Sequence, residues 1–344
     1  MNTRPVATKT DSRGHANFGV TEPAAIEAVQ EALLGWFAAN RRDLPWRHTR
    51  DPWAILVSEV MLQQIQVVRA IPFYHAFLRR FPTVQSLADA PLADAIRVWG
   101  DLGRYKRVVN LHRSAQLIVK EHGGQVPSEP EVLGTLPGIG PYTAGAVACF
   151  AFERDAAFAD TNMRRVLHRV FVGVDVPRPI VTDRVIAELA QASVPPGRGW
   201  EWNHGLMEFG ALHCTARRPA CATCPVQGRC RAYPAIGAAL VADRGRVGEK
   251  RPSYRYEESN RYYRGRVLAR LREQSVGDDA ARGVDLGELG EELRPGFTES
   301  DVPWLTEVVG SLERDGLAVA EERPIYDAGA ASPANKTEVR VRLP

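Results

Sequence analysis

The chain has 344 residues, of which 44% are hydrophobic and 25% are charged, and its formal net charge is +3. This composition is ordinary for a soluble globular protein, and the mildly basic charge permits a nucleic-acid partner without indicating one. No apolar run approaches the roughly 18 residues of a membrane span, and the polar start of the chain lacks the apolar segment of a secretory signal. We therefore expect no membrane partner, a cytoplasmic location and a disordered tail over residues 1–21.

Residues 22–232 are dominated by apolar side chains at helical spacing, with Pro and Gly between the segments and almost no alternating strand pattern. The pattern predicts an all-α domain. Its candidate helices cover residues 24–39, 53–79, 92–98, 104–121, 130–134, 141–152, 161–172, 182–193 and 201–213.

The last third of the chain reads as a linker and a second, smaller unit. Residues 233–260 are rich in Gly, Arg and Tyr and lack periodicity, which is typical of a linker. Residues 261–344 then predict three helices, a stop at Gly316 and a terminal hairpin. The predicted helices are 261–273, 286–293 and 299–315, and the predicted strands are 317–321 and 339–343. Together they indicate a small α+β, winged-helix-like module, a fold that contacts DNA in some proteins and protein partners in others.

Four of the five cysteines lie close together, with the spacing C-x6-C-x2-C-x5-C over residues 214–230. They are Cys214, Cys221, Cys224 and Cys230. Four clustered thiols in an intracellular chain indicate a metal site rather than disulfides. The spacing favours an iron-sulfur cluster and leaves a tetrahedral zinc site open. Cys149, in an apolar run, is predicted to pack in the core.

The segment LPGIGPYTAG predicts a tight turn between two helices. Gly138 and Gly140 flank the apolar Ile139, and Pro141 suits the first position of the following helix. Such a turn exposes backbone N–H groups that can bind a phosphate, although a plain helix–helix connection fits the same residues.

The hairpin, the later segment FADTNMRRVL and the cysteine cluster together resemble the helix-hairpin-helix DNA glycosylases of the endonuclease III type. The resemblance extends over about residues 30–232 in the same order and spacing. It implies a two-lobed all-α domain, and double-stranded DNA bound through the amides of Gly138, Ile139 and Gly140. It also implies a 4Fe-4S cluster on the four cysteines, which decides between the cluster and zinc.

The hairpin also bears on the type of chemistry. Bifunctional members of this superfamily carry a lysine two residues after the second glycine, where this chain has Tyr142. Without that amine to attack the sugar, the resemblance implies base removal without strand cleavage. Tyr142 would line the active site.

Asp160 matches the catalytic aspartate of the superfamily. Cleavage of an N-glycosidic bond develops positive charge on the sugar, and a fixed carboxylate stabilises that charge. Read without the resemblance, Asp160 is a helix N-cap, and both roles are compatible. Asn162 would hold the aspartate or the DNA backbone beside it.

The segments LPWR and SEVMLQQ are similar to the MutY-type adenine-mismatch glycosylases in particular. By this match Glu59 would protonate N7 of adenine, and its apolar helix would favour the protonated acid. As a lone helical glutamate it would simply face solvent. Trp46 and Arg47 would wall the base pocket, and Gln64 would enter the duplex where the flipped nucleotide leaves.

Several positions depart from the MutY pattern. Arg104 stands where a tyrosine usually follows the GLG turn, with Tyr105 one residue later, so stacking on the opposite base is expected to differ. His204 replaces a Glu or Gln that contacts the flipped base, and Ile65 replaces a common Thr. The segment GLMEF is closer to thymine/uracil-mismatch glycosylases, and residues 233–344 do not resemble the Nudix-like domain that recognises 8-oxoguanine.

The resemblance therefore implies a monofunctional DNA N-glycosylase that removes adenine opposite 8-oxoguanine or guanine. Two alternatives stay open at this point: a thymine or uracil glycosylase acting on T·G or U·G mismatches, and a non-catalytic DNA-binding iron-sulfur protein. The presence of both Glu59 and Asp160 disfavours the second. The expected partner is mismatched double-stranded DNA, bound by a monomer associated with the nucleoid.

Overall fold

The structure is a computed structural model that describes residues 23–246, 255–274, 282–324 and 337–344. The predicted tail over residues 1–21 lies outside these ranges, as does the loop expected between the last two strands. In the described ranges, none of the helices combines the length and the apolar character needed to span a bilayer.

The described chain is mainly helical, as the sequence predicts. In chain order the α-helices are α1 (Pro23–Asn40), α2 (Pro52–Leu62), α3 (Val67–Arg80), α4 (Val84–Ala88), α5 (Leu92–Trp99), α6 (Lys106–His122), α7 (Pro130–Leu133), α8 (Pro141–Phe152), α9 (Thr161–Leu167), α10 (Asp183–Ala192), α11 (Gly199–Leu212), α12 (Ala235–Arg246), α13 (Asn260–Gln274), α14 (Leu286–Leu293) and α15 (Val302–Arg314). The strands are β1 (Val284–Asp285), β2 (Val319–Pro324) and β3 (Thr337–Arg342).

The contacts divide the chain into two compact units. Of the described residues, unit 1 contains 23–50, Ser128–Pro130 and 140–246, and unit 2 contains Asp51–Pro127, Glu131–Ile139, 255–274, 282–324 and 337–344. The domain boundaries expected near residues 232 and 261 remain predictions.

The core of unit 1 is built around α11, which packs between α1 and α9. Trp202 and Phe209 of α11 are fully buried there. Gly210 allows the close approach to α9, because a Cβ at that position would lie 2.8 Å from the Cβ of Asn162. The same packing therefore places Asn162 firmly against the core.

Unit 2 is centred on α2 and α6. Helix α2 is buried on all sides, and the indole of Trp53 donates a hydrogen bond of 3.0 Å to the carbonyl oxygen of Phe81. The short helix α4, which the sequence pattern did not predict, begins with a capping box between Thr83 and Ser86. These two hydroxyls satisfy N–H groups at the helix start that would otherwise lack partners.

The single helix predicted over residues 53–79 is wrong, because the chain forms α2 and α3 with a break between them. Gln64 in the break has a φ of 58°, in the left-handed region that ends an α-helix. Apolar periodicity continues through the break, which explains why the sequence pattern does not reveal it.

The aperiodic linker predicted over residues 233–260 is wrong over its first half, where α12 forms. Ile236 and Leu240 lie one and two turns after Ala232, and these three side chains form a small buried cluster. Val174 and Cys230 pack against this cluster. The helix is therefore stabilised by tertiary packing rather than by a strong pattern of its own.

The C-terminal module has the element order α13, β1, α14, α15, β2, β3, and its sheet is antiparallel with the strand order β1-β3-β2. The predicted hairpin is present, with Glu321 opposite Arg340. Helix α15 ends where predicted, since Gly316 has a φ of +70° and Leu317 donates its N–H to the carbonyl of Leu312. This topology is that of a winged helix.

Candidate active site

Asp160 is the N-cap of α9 and is held by two hydrogen bonds. Its Oδ1 accepts from the backbone N–H of Met163 at 2.7 Å, and its Oδ2 accepts from the side-chain amide of Asn162 at 3.2 Å. Burial raises the pKa of Asp160, although these hydrogen bonds and the charge of Arg165 act in the opposite direction. A carboxylate that is held in place, half-buried and only partly solvated can stabilise a positive charge beside it.

Arg165 connects this aspartate to the cysteine loop. Its guanidinium donates to Oδ1 of Asn162 at 2.8 Å and to the carbonyl oxygens of Gly210 at 2.6 Å and Cys214 at 2.8 Å. Asp160, Asn162, Arg165 and Cys214 thus form one continuous hydrogen-bonded chain within unit 1. Arg165 was not among the residues predicted from the sequence, although it lies in the FADTNMRRVL segment, four residues before another arginine.

That second arginine, Arg169, lies beneath the cysteine loop and is 2% exposed. It forms an ion pair with Asp175 at 2.7 Å and donates to the carbonyl oxygens of Thr215 and Ala216 at 2.8 and 3.1 Å. Its guanidinium also lies 3.8 Å from Sγ of Cys214. Its backbone carbonyl accepts from the N–H of Ala232, so one residue holds both ends of the loop.

The four cysteines of this loop fit an iron-sulfur cluster. They line one pocket together with apolar side chains such as Val170 and Ile236, and none of them is in a disulfide. Burial raises the pKa of Cys214 and raises that of Cys224 to about 11, so thiolates here need a positive charge nearby. Bound iron supplies that charge, and Arg169 adds to it.

In the described part of the chain, no three His, Cys, Asp or Glu side chains converge as the ligands of a single metal ion do. A 4Fe-4S cluster distributes its thiolates over four irons and does not require such convergence. The expected ligands Cys214, Cys221, Cys224 and Cys230 are thus brought into one loop, while Cys149 is buried elsewhere and accepts a hydrogen bond from Asn203.

Trp46 and Arg47 lie in a 3-10 turn that follows Leu44. Trp46 is 4% exposed and the side chain of Arg47 is 7% exposed. Arg47 donates to Glu208 of α11 at 3.1 Å, and Arg42 donates to the same carboxylate at 2.6 Å. Burial alone would raise the pKa of Glu208, but the hydrogen bonds from Arg42 and Arg47 outweigh it and lower this pKa to about 2. Glu208 therefore stays ionised and fixes the Arg47 guanidinium.

Glu208 and Arg42 were not predicted from the sequence as parts of the site. The only signal for Glu208 was a glutamate inside the otherwise apolar segment GLMEF. A buried charge in such a position requires a cationic partner, although the sequence does not identify which one.

Tyr142 lies in the first turn of α8, as predicted, and packs its ring edge-on against Phe158 with a centroid separation of 5.3 Å. Its hydroxyl lies 3.8 Å from Sδ of Met207. Its role in lining the active site stays a prediction.

His204, expected to contact the flipped base, is 3% exposed and lies in an aromatic stack. Its ring is parallel to that of Phe150 at 3.8 Å, and the rings of Phe37 and Trp200 complete the surroundings. Burial lowers the pKa of His204 well below its ordinary value, with a smaller contribution from the charges of Arg47 and Arg50. The imidazole is therefore neutral at pH 7, and its contact with a base stays a prediction.

The hairpin has the predicted conformation. Gly138 and Gly140 are exposed on either side of Ile139, which is 5% exposed and packs into the core. Gly138 has a φ of +76°, and a Cβ there would lie 2.6 Å from Nδ2 of Asn110. Gly140 caps α8 ahead of Pro141. Both glycines leave backbone N–H groups accessible at the start of α8.

The remaining predicted residues lie in unit 2. Glu59 is 4% exposed within α2, so the solvent-facing interpretation of this glutamate is wrong. Gln64 and Arg104 are exposed and share a left-handed backbone, with φ values of 58° and 51°. Tyr105 is half-buried, and the guanidinium of Arg272 lies 5.7 Å from the centre of its ring.

Comparison with known families agrees with this geometry. Residues 57–192 match the family described as HhH-GPD superfamily base excision DNA repair protein. Residues 214–230, which contain the four clustered cysteines, match the iron-sulfur binding domain of endonuclease III, and this match confirms the expected cluster.

Among curated proteins, an adenine DNA glycosylase of Mycobacterium tuberculosis is 38% identical over 84% of this chain and 86% of its own length. An adenine DNA glycosylase of Rattus norvegicus is 42% identical over 62% of this chain, but the match covers only 43% of the rat protein. The chain therefore aligns with less than half of that mammalian relative. Among solved structures, a thermostable thymine-DNA glycosylase has a TM-score of 0.58 at 31% identity, covering 62% of this chain and 98% of that one.

Proposed function

The chain belongs to the adenine DNA glycosylase family within the HhH-GPD superfamily, and on this basis we propose that it hydrolyses the N-glycosidic bond of adenine mispaired with 8-oxoguanine or guanine. The observation that carries the proposal is the fixed carboxylate of Asp160, hydrogen-bonded to Met163 and Asn162 at the start of α9. Its placement suits the stabilisation of a positively charged sugar.

The proposed reaction begins with proton transfer from the carboxylic acid of Glu59 to N7 of the adenine. The bond between C1′ and N9 then breaks, and its electron pair leaves with the base. Asp160 stabilises the resulting oxocarbenium-like sugar. Water adds to C1′, and its proton passes to the carboxylate of Glu59, which is thereby returned to its starting form.

The products of this sequence are free adenine and an abasic site with an intact DNA backbone. Tyr142 carries no amine, so no Schiff base forms with the sugar at this position and the strand is not cut. Arg47, fixed by Glu208, is proposed to line the adenine pocket together with Trp46. Asn162 is proposed to position Asp160.

The 4Fe-4S cluster is held by Cys214, Cys221, Cys224 and Cys230 and supplies a rigid crosslink for the loop between α11 and α12. The N–H of Ile139 donates to the carbonyl oxygen of Leu136 at 3.1 Å, so the amide expected to bind DNA at this position is already engaged. DNA is proposed to bind through the amides of Gly138 and Gly140 and through cationic side chains, and its affinity should fall steeply with salt. We further propose that the protein acts as a monomer on mismatched duplexes in the cytoplasm, at the nucleoid.

The proposal is tested by single-turnover reactions on duplexes that contain A·8-oxoG, A·G, T·G or U·G, with alkali added afterwards to cut abasic sites. We expect cleavage at adenine only after alkali, and none without it. Cleavage confined to T or U opposite G would instead support the thymine/uracil alternative, to which the GLMEF segment is similar. A protein that binds all four duplexes and cuts none after alkali would be a binding protein.

A further inference from the structure

Met207 of α11 contacts the tyrosine that is expected to line the active site. The hydroxyl of Tyr142 lies 3.8 Å from Sδ of Met207, a distance at which a thioether sulfur can accept a hydrogen bond. A thioether is a weak acceptor, so this contact holds the hydroxyl only loosely. No role in the proposed reaction is assigned to Met207.

Met207 also differs in exposure from the other methionines. Met61 and Met163 are both 0% exposed, and Met1 lies outside the described residues. Met207 is partly exposed, although the residues before and after it in α11 are buried. In the ranges that the structure describes, Met207 is therefore the methionine that an oxidant in solution reaches most readily.

The ring of Tyr142 is supported on the side away from this sulfur. It packs edge-on against Phe158, and Phe158 packs edge-on against Phe150 with a centroid separation of 5.4 Å. A Cβ at Gly145 would lie 3.0 Å from Cβ of Phe158, so this aromatic layer fits closely onto α8. A chemical change at Met207 therefore acts on the hydroxyl of Tyr142 rather than on its packed ring.

Oxidation would change the character of the sulfur. In the reaction with hydrogen peroxide, a lone pair of sulfur forms a bond to one peroxide oxygen, the O–O bond breaks, and the other oxygen leaves as water. The sulfur loses two electrons and the peroxide gains them. The product is a sulfoxide, which is polar where the thioether is apolar.

The sulfoxide oxygen is a strong acceptor in a position where Tyr142 already faces the sulfur. Because Sδ and the hydroxyl are 3.8 Å apart, an oxygen bonded to sulfur on that side would lie closer to the hydroxyl than the sulfur does. The O–H of Tyr142 would then donate to it in place of the weak contact with sulfur. The hydroxyl would be committed to α11 and unavailable to a bound nucleotide.

We propose that Met207 is a site of reversible oxidation, and that its sulfoxide lowers excision by withdrawing the Tyr142 hydroxyl from the active site. The effect on excision rests on the proposed function. The reverse reaction is a thiol-dependent sulfoxide reduction, in which two thiols become a disulfide and the oxygen leaves as water. The oxidised form would arise under the conditions that convert guanine to 8-oxoguanine in DNA.

The test treats the full, cluster-containing protein with hydrogen peroxide and locates added oxygen by mass spectrometry of its peptides. Met207 should gain one oxygen before Met61 and Met163 do. The ratio of treated to untreated single-turnover rates should fall about tenfold as Met207 becomes fully oxidised. Treatment with a methionine sulfoxide reductase and a dithiol should return this ratio to near one.

Two leucine variants separate Met207 from other oxidation damage. Met207→Leu removes the sulfur and keeps an apolar side chain of similar volume, so its ratio should stay near one. Met163→Leu is the matched control and should lose excision as the unsubstituted protein does. Both variants keep the four clustered cysteines, and the visible absorbance of the cluster is recorded for each, so loss of the cluster is measured separately.

An infrared measurement tests the contact itself without DNA. Isotopically labelled peroxide identifies the S=O stretch, and the spectrum of treated Met207→Leu is subtracted. This stretch should lie at a lower frequency in the unsubstituted protein than in Tyr142→Phe, because a hydrogen bond weakens the S=O bond. Equal frequencies in the two proteins would overturn the role of Tyr142 as the partner.

The proposal is also overturned if Met207 is oxidised no faster than the two buried methionines, or if Met207→Leu loses excision to the same extent as the unsubstituted protein. Failure of the proposed function is a separate result. A protein that releases no adenine before treatment refutes the excision reaction. The order of oxidation and the infrared shift still decide whether Met207 is an oxidation site in contact with Tyr142.

Discussion

Arg165 donates a hydrogen bond of 2.8 Å to Oδ1 of Asn162, whose amide in turn holds Oδ2 of Asp160. The same guanidinium holds the carbonyl of Cys214, the first cysteine of the cluster loop. The aspartate proposed to act on the sugar and the loop proposed to carry iron therefore depend on one side chain.

Arg165→Ala should reduce single-turnover excision by roughly 10- to 100-fold. Losing a residue that positions the reacting groups through hydrogen bonds usually has an effect of this size. It should also reduce the visible absorbance of the cluster per protein, because the carbonyl of Cys214 loses its donor. Arg164→Ala is the control, since Arg164 pairs with the exposed Asp183. Equal excision and absorbance in the two variants would contradict the coupling.

Asp160 combines a capping role with the proposed chemical role, and two substitutions separate them. Asp160→Asn keeps an N-cap for α9, so we expect unchanged thermal stability and DNA affinity but a loss of excision of at least 100-fold. Asp160→Ala should lose excision and also about 1 kcal/mol of stability. Substantial excision by Asp160→Asn would contradict the assignment.

The pH dependence of excision follows from the environment of Asp160. Burial raises the pKa of this carboxyl, and only its ionised form stabilises the sugar. Excision should therefore decline, as the pH falls, at a higher pH than the ordinary aspartate value near 3.9 would give. Single-turnover rates between pH 4 and 8, with DNA affinity measured at each pH, check this expectation.

The two hairpin glycines should respond differently to alanine. Gly138→Ala places a Cβ 2.6 Å from Asn110 in a left-handed backbone and should cost about 1–3 kcal/mol of stability. Gly140→Ala meets nothing within 4 Å and has an ordinary φ, so stability should be retained. If the hairpin amides bind phosphate, Gly140→Ala should still weaken DNA binding, and an unchanged affinity would refute that role.

Glu208 is predicted to stabilise the fold through its ionised form. Its pKa of about 2 in the folded protein lies below the value near 4.3 of an unfolded glutamate, so its contribution is present above about pH 4.3 and is lost as the pH falls towards 2. Glu208→Gln should cost on the order of 3 kcal/mol at pH 7. The difference in stability between Glu208→Gln and the unsubstituted protein should become smaller as the pH falls.

Glu201→Gln is the control for this measurement, since Glu201 lies on the same helix α11 but outside the arginine cluster. Denaturant unfolding at pH 7 and at pH 3 gives both comparisons. A Glu208→Gln protein as stable as the control at pH 7 would show that the two arginines do not depend on this carboxylate.

The helices were predicted well from the sequence at positions where a local residue preference and the tertiary packing favour the same structure. Pro141 begins α8 and Gly316 ends α15 as expected, because both residues restrict the backbone locally. The break at Gln64 and the helix α12 were missed for a physical reason. Apolar periodicity continues through the break at Gln64, whereas residues 233–260 lack periodicity and α12 is stabilised by packing on Ala232, Val174 and Cys230.

The candidate site could be predicted only in part. The four cysteines, Asp160 and the hairpin glycines were found from motif spacing. The structure brings the cysteines into one loop, makes Asp160 the N-cap of α9 and exposes both glycines, while their roles in the reaction stay predictions. Arg165, Arg169 and Glu208 were missed because the contacts that tie them to the site, with Cys214, Thr215 and Arg47 respectively, join residues 45 or more positions apart in the chain. The buried stack around His204 was missed for the same reason.

The most direct test of the adenine assignment is to identify the released base. Equal amounts of A·8-oxoG and T·G duplexes are mixed with the protein in one reaction, and free bases are separated by chromatography. The account predicts adenine as the only released base, and none from the Asp160→Asn protein. Release of thymine, or no base at all from a protein that binds both duplexes, would contradict it.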